Sequence, residues 1–358
     1  MKGGIALGSL IPAKELISFA ERSLQKVGVS ADDASTIANC LVEADVRGVH
    51  SHGINLLPRY VRGILKGDIN AQPNVSIEHD RNVIVRVNAD NGLGGIAAAY
   101  AADLAVERAK EFGLAYITVT NSNHFGAAAP YSMKIAKNKM IGTTITNTPS
   151  ILPAFGGMTP VLGNNPLAIA VPTKEDPIVL DMALSPIARG KLRGMAEKGE
   201  SIPPGWALTK EGHPTEDAAE AFDGITLPIS GPKGYGLSLI NELLSGALSG
   251  SLVSREISRS LILDNKGETL DRFGVGHLIT ALDISAFIDY DVFQERTERI
   301  ITEIKNSTPA LNTEEIYLPG EIENKLQKDR LENGIPLPEM IKRKLDEIAN
   351  EIGINIMH

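Results

Sequence analysis

The sequence predicts a mixed α/β protein: a central α/β domain flanked by helical segments at both ends. Three observations predict it. Apolar residues recur at helical spacing through the first stretch of chain, β-branched runs alternate with Ala-rich ones in the middle, and charged amphipathic stretches close the sequence.

From Pro12 to about Ala44 the spacing of Leu16, Ile17, Phe19, Ala20 and Leu24, then of Ile37, Ala38, Leu41 and Val42, reads as two amphipathic helices. Ser30-Ala-Asp-Asp supplies an N-cap between them. A third helix spans Leu56 to Leu65 and ends at Gly67. Asn82 to Asn88 then reads as a strand, Gly94 to Gly113 as an Ala-rich helix, and Leu114 to Thr120 as the next strand. A helix follows from Ala127 to Met140, and strands are predicted at Ile141 to Thr146, Leu167 to Val171 and Ile178 to Leu180. Gly234 to Ser249 is helical in pattern, Leu278 to Ile284 is a strand, and helices are expected over Val292 to Ile304, Ile322 to Leu331 and Glu339 to Ile352.

With 358 residues, the chain is long enough for two domains at roughly 150 residues each. Hydrophobic residues make up 43% and charged residues 22%, which excludes a disordered, collagenous or disulfide-stapled class. A net charge of -9 argues against nucleic acid or an anionic membrane as partner and leaves small molecules. The lone Cys40 lies in an apolar helical stretch and reads as a buried, inert thiol in a reducing compartment. The apolar run Gly3 to Ile11 is short and closed by Pro12, so it reads as an ordinary start rather than a secretory signal, and the expected location is cytoplasmic.

Gly92-Leu-Gly94-Gly-Ile-Ala97 matches a loose dinucleotide pattern, but the following strand ends without the acid that fingerprint requires, so tight helix packing is the better reading. His50-Ser51-His52-Gly53 occupies a turn between helices, and Asn121-Ser-Asn-His124 follows a strand. Imidazole suits proton transfer near neutrality, although a single histidine is more often structural. No HExxH, Cys pair or ligand-spaced carboxylate accompanies them, and no metal is expected. Asp181 ends an apolar strand, where it can accept ribose hydroxyls, hold an imidazole or cap a helix. Ser230-Gly-Pro-Lys233-Gly opens a helix, so amides, dipole and ammonium can converge on an anion; a solvated lysine in a glycine turn is the plain alternative.

Taken in order, ADVRGVHSHG (Ala44 to Gly53), LPRYV (Leu57 to Val61), NSNHFG (Asn121 to Gly126), GNNPLAIAVP (Gly163 to Pro172), LDMALS (Leu180 to Ser185), GPKGYGLSL (Gly231 to Leu239) and LPGE (Leu318 to Glu321) resemble the malate/L-lactate dehydrogenase superfamily that is unrelated to Rossmann-type enzymes. They span nearly the whole chain. The resemblance implies an α+β fold with a mostly antiparallel central sheet, a non-Rossmann nucleotide site, and a helical companion domain from both termini. The expected boundaries are 1–75, 76–310 and 311–358, the outer two packing together. It further implies a homodimer with the active site near the interface, and NAD as cofactor with NADP the alternative. On the same resemblance His52, with Ser51 beside it, or His124 transfers the proton. Asp181, Met182, Ala183 and Thr148 line the nucleotide, Lys233 and Gly234 meet its phosphates, and Gly320 and Glu321 close over it.

One position departs. Many relatives carry Arg four residues after the SHG histidine, suited to a substrate carboxylate; this chain has Leu56. Arg47 or Arg59 is then expected to supply the charge, and a bulkier or less polar 2-oxo acid than malate becomes the better expectation. The implied reaction is hydride transfer between a nicotinamide and C2 of a 2-hydroxy or 2-oxo acid. The alternatives are an NADPH-dependent reductase of a cyclic imino acid and a catalytically silent nucleotide-binding protein.

Overall fold

The computed structural model describes residues 9–257 and 274–355; the apolar run from Gly3 as far as Gly8 lies outside them. Strand β1 (Ser9–Ile11) leads into helices α1 (Ala13–Lys26), α2 (Ala31–Val46) and α3 (Leu57–Leu65). Leu16, Phe19, Ala20 and Leu24 of α1 are buried, as the spacing requires. Ser30 caps α2, its hydroxyl accepting the Asp33 amide at 3.2 Å.

The middle of the chain forms β2 (Ser76–Arg81), β3 (Ile84–Asn88), α4 (Gly94–Phe112), β4 (Leu114–Ser122), α5 (Ala129–Ala136) and β5 (Met140–Thr146). A short hairpin, β6 (Leu152–Pro153) and β7 (Pro160–Leu162), precedes β8 (Leu167–Val171) and β9 (Ile178–Met182). Helix α5 is shorter than its apolar pattern predicts, because Lys139 adopts φ +63° and ends the helical path before Met140. Strand β2 escapes sequence detection because all of SIEHDR is exposed and carries no alternation.

A small lobe not foreseen from sequence follows: α6 (Arg189–Glu197), β10 (Ala207–Leu208), β11 (Pro214–Thr215), α7 (Ala218–Asp223) and β12 (Ile225–Thr226). Ile187, Leu192, Ile202, Ala207, Ala218 and Ala221 make its separate core. The chain continues through α8 (Pro232–Glu242), which runs into a π turn at Leu243–Ala247, to β13 (Val275–Asp283) and α9 (Tyr290–Lys305). It finishes with α10 (Glu321–Asn333), β14 (Ile335–Leu337) and α11 (Glu339–Ile352).

The main sheet has seven strands in the order β2-β3-β4-β13-β5-β8-β9. Only β3 and β4 run parallel; the other five pairings are antiparallel. This is the mostly antiparallel α+β arrangement, with the late strand β13 inserted between β4 and β5. Helices α4 and α5 cover the sheet through Ala97, Ala101, Ala105, Tyr131 and Ile135. A second core joins α1, α2 and α3 to β14 and α11 through Leu16, Leu41, Leu57, Leu337 and Ile348. The two ends of the chain are also paired directly, β1 running antiparallel to β14 with Ser9 opposite Leu337. Among the described residues no helix is long and apolar enough to cross a membrane.

Candidate active site

The turn carrying Ser51 and His52 is built around Asp45, a buried carboxylate at the end of α2. Its Oδ1 lies 2.8 Å from His50 Nδ1, and its Oδ2 accepts the Ile54 amide at 2.6 Å. A Cβ on Gly53 would sit 2.2 Å from the Asp45 carboxyl carbon, so only glycine lets this turn close. The two histidines of the turn therefore diverge: His50 pairs with Asp45, whereas His52 faces His124.

His124 comes from the loop after β4. That loop is held against the start of α4, where a Cβ on Gly94 would be 2.0 Å from the Asn123 carbonyl oxygen. The Asn123 amide reaches back to the Asn91 and Gly92 carbonyls at 2.9 Å each. The glycine-rich turn is thus filled by protein backbone, the packing role its sequence suggested.

The rings of His52 and His124 stack with centroids 5.6 Å apart and planes 12° apart. Ser51 Oγ lies 2.9 Å from His52 Nδ1. His124 Nδ1 accepts the Gly126 N–H at 3.2 Å and lies 2.8 Å from the Tyr60 hydroxyl. A backbone amide can only donate, so Nδ1 is unprotonated, Tyr60 donates to it, and neutral His124 carries its proton on Nε2. Burial, followed by the charge of Arg59, pushes His52 down to about 4. Burial, then Arg59 and His52, lowers His124 well below the ordinary histidine value. Arg59 is the cation that both imidazoles feel.

Arg47 goes elsewhere. Its Nη1 donates to Asn324 Oδ1 at 2.6 Å and Gln327 Oε1 at 3.2 Å on α10, and burial is the chief influence on it. This group ties α2 to α10. Glu321 is also committed to protein, its carboxylate accepting from Lys305 and from the Leu318 amide. Gly320, at φ +86°, packs on β9, where a Cβ would come within 2.9 Å of Val179.

The expected nucleotide residues gather around the loop Gly163–Asn165. Thr148 N donates to Asn165 Oδ1 at 3.0 Å, and its hydroxyl to Asn164 Oδ1 at 2.8 Å. Leu184 N bonds the Asn164 carbonyl, which places Met182 and Ala183 alongside, and Ile229 N bonds the Leu184 carbonyl just ahead of Lys233 and Gly234. Asn165 is anchored below by the buried Glu242 at 2.8 Å. Asp181 Oδ2 accepts the Ala129 amide at 3.1 Å, capping α5 from a distant strand and leaving its other oxygen for a ligand. The protein around it raises its carboxyl to about 6, against the pull of the Ala129 amide and Arg47.

These residues fit a dinucleotide. Lys233 is exposed at the start of α8, Gly231 before it has φ +60°, and a Cβ on Gly234 would strike the Ile229 carbonyl oxygen at 1.9 Å. The Lys233 ammonium thus stands exposed at a helix N-terminus, while Gly234 packs against its own chain. Tyr60, Asn123 and Glu242 were not singled out from sequence; Tyr60 lies within LPRYV, but nothing there marks its hydroxyl as a histidine partner.

Fold and site together are those of an oxidoreductase scaffold. The malate/L-lactate dehydrogenase family profile matches residues 11–346. A malate dehydrogenase of Pyrococcus horikoshii is 38% identical over 352 residues, covering 96% of each chain. A (2R)-3-sulfolactate dehydrogenase (NADP(+)) of Chromohalobacter salexigens is 34% identical, covering 96% of this chain and 99% of its own. A ureidoglycolate dehydrogenase (NAD(+)) of Escherichia coli O157:H7 is 31% identical, covering 94% of each. The solved sulfolactate dehydrogenase of Methanocaldococcus jannaschii superposes with a TM-score of 0.91 at 36% identity, covering 97% of this chain and 98% of that one. The chain belongs to the malate/L-lactate dehydrogenase family.

Proposed function

We propose that this NAD(P)-dependent oxidoreductase interconverts a 2-hydroxy acid and its 2-oxo acid, and that its preferred substrate carries a single carboxylate. The observation that carries the reading is the pair of stacked imidazoles under the charge of Arg59. Bound nicotinamide supplies or accepts the hydride at C2. Lys233, the amides beside it, Thr148 and the open oxygen of Asp181 would hold the nucleotide.

The chain's own residues divide the remaining work. His52 is the proton carrier at the C2 oxygen, protonated for reduction and neutral for oxidation. His124 has Nδ1 occupied by Gly126 and Tyr60, so protonating it would break an amide hydrogen bond. It serves as a neutral donor through Nε2, steadying the developing charge on the same oxygen. Arg59 pairs with the C1 carboxylate. Leu56, 9% exposed and part of the helical core, adds no second cation, which favours a monoanion over a dianion such as malate.

The test is nicotinamide absorbance with the purified protein, NADH or NADPH, and a panel of 2-oxo acids alongside a cyclic imino acid. Turnover of uncharged-side-chain 2-oxo acids above that of oxaloacetate is expected. Fastest turnover of the imine would replace the reading with imine reduction, and nucleotide binding without turnover of anything would make the protein silent. The reading also includes a homodimer, checked by light scattering.

A further inference from the structure

We propose that His277, in the middle of β13, is a positioning residue for His124, acting by holding the residues on either side of it. The inference rests on the proposed role of His124.

His277 is wholly buried between two hydroxyls, with Nδ1 2.8 Å from Thr146 Oγ1 and Nε2 2.7 Å from Ser122 Oγ. Thr146 spends its hydroxyl proton on the Gly276 carbonyl at 3.0 Å, so its oxygen accepts from Nδ1–H. Nε2 is then bare, and the Ser122 hydroxyl donates to it. Burial holds His277 down at about 3, so this neutral tautomer persists throughout the working range.

The ring also lies flat on Phe125, with centroids 4.6 Å and planes 9° apart, and Phe125 stacks in turn on Tyr131 at 5.2 Å. His277 thus grips Ser122, two residues before His124, through a hydrogen bond, and Phe125, one residue after it, through a ring face. A β-bulge between Val275 and His277 lies opposite this part of β4 and aims the imidazole there. Gly276, inside the bulge, must be glycine because a Cβ would meet the Ser245 carbonyl oxygen at 1.9 Å. Neither ring nitrogen has capacity left for substrate, so the residue acts only through His124.

The experiment compares His277→Phe, which keeps the stack and loses both hydrogen bonds, with His277→Gln, whose amide oxygen reaches as far as Nε2 and accepts from Ser122. Ser122→Ala removes the same bond from the other side and stands in should His277→Phe fail to fold. A displacement of His124 by a fraction of an ångström to one ångström lowers kcat by about 10- to 100-fold, with KM and cofactor titration held. His277→Gln retains most turnover. In a His124→Ala background the Ser122→Ala and His277→Phe changes cost nothing further. Wild-type kcat in both single variants, a proportional loss of cofactor binding, or losses that multiply in the His124→Ala background would overturn the proposal while leaving the role of His124 intact. Full turnover in His124→Ala alone would remove both.

Discussion

The imidazole of His124 lies parallel to that of His52, with ring centroids 5.6 Å apart, although the two come from a helix-to-helix turn and a strand-to-helix loop. His124 therefore feels the charge of His52 as well as that of Arg59, which bears on both rings. A proton on His52 opposes one on His124, and His124, held well below the ordinary histidine value, stays neutral near neutrality.

His52→Ala is expected to lower kcat by about 100- to 10,000-fold, the usual worth of a placed proton carrier. Cofactor titration by fluorescence stays close to normal, because the residues proposed to hold the nucleotide near Gly163–Asn165 lie outside this turn. Equal loss of nucleotide affinity would show that His52 supports the fold rather than the chemistry.

The pH dependence has a definite sign. His52 is held at about 4 in the free enzyme, so its basic form prevails at neutrality. For oxidation, kcat/KM is level from neutral pH down to about pH 5 and falls below it. For reduction, which needs the protonated ring, kcat/KM rises about tenfold per pH unit toward acid until the same region. Rate profiles in both directions check this; a break near the ordinary histidine value would mean that burial and Arg59 do not govern the group.

Leu56→Arg restores a cation four residues after His52, and Arg59→Ala takes one away. The first should raise kcat/KM for oxaloacetate relative to a monoanionic acid by about tenfold or more, the scale of a charge-assisted hydrogen bond. The second should raise KM for every 2-oxo acid. Unchanged selectivity in Leu56→Arg, with melting showing the variant folded, would remove the monoanion preference.

Lys233→Ala should weaken nucleotide binding by about tenfold through loss of an ammonium at a helix N-terminus, with kcat at saturating cofactor nearly unchanged. Isothermal titration with NADH and NADPH measures it. A fall in kcat with intact affinity would place Lys233 at the reacting atoms instead.

Much of this was readable from sequence where local chemistry decides. Glu339–Ile352 is helical over the span its periodicity marks, and Ser30 caps α2 as its position suggests. The histidines of SHG and NSNH stand out because polar residues punctuate apolar runs there. What escaped depends on pairing across long distances. Nothing local places β13 between β4 and β5, and the two-residue strands of the small lobe are too short for any period to register. Arg47 and Arg59 were both candidates for the missing charge in sequence; the packing of α10 against α2 shows Arg47 bonded to Asn324, while the charge of Arg59 lowers both imidazoles. His277 was invisible because a histidine in an apolar strand has no signature until its two hydroxyl partners arrive from neighbouring strands.

The antiparallel ribbon of Ser9–Ile11 with Ile335–Leu337 carries a consequence for how the protein is made. During synthesis α1 and α2 emerge first, yet Leu16 and Leu41 share their core with Leu345 and Ile348. The nascent helices must wait, with apolar faces uncovered, until the residues of α11 have been added. Pairing at such separation makes for slow final assembly and a long exposure to aggregation. The turn that carries His52 is therefore completed late, when α10 arrives to clamp Asp45 and Arg47.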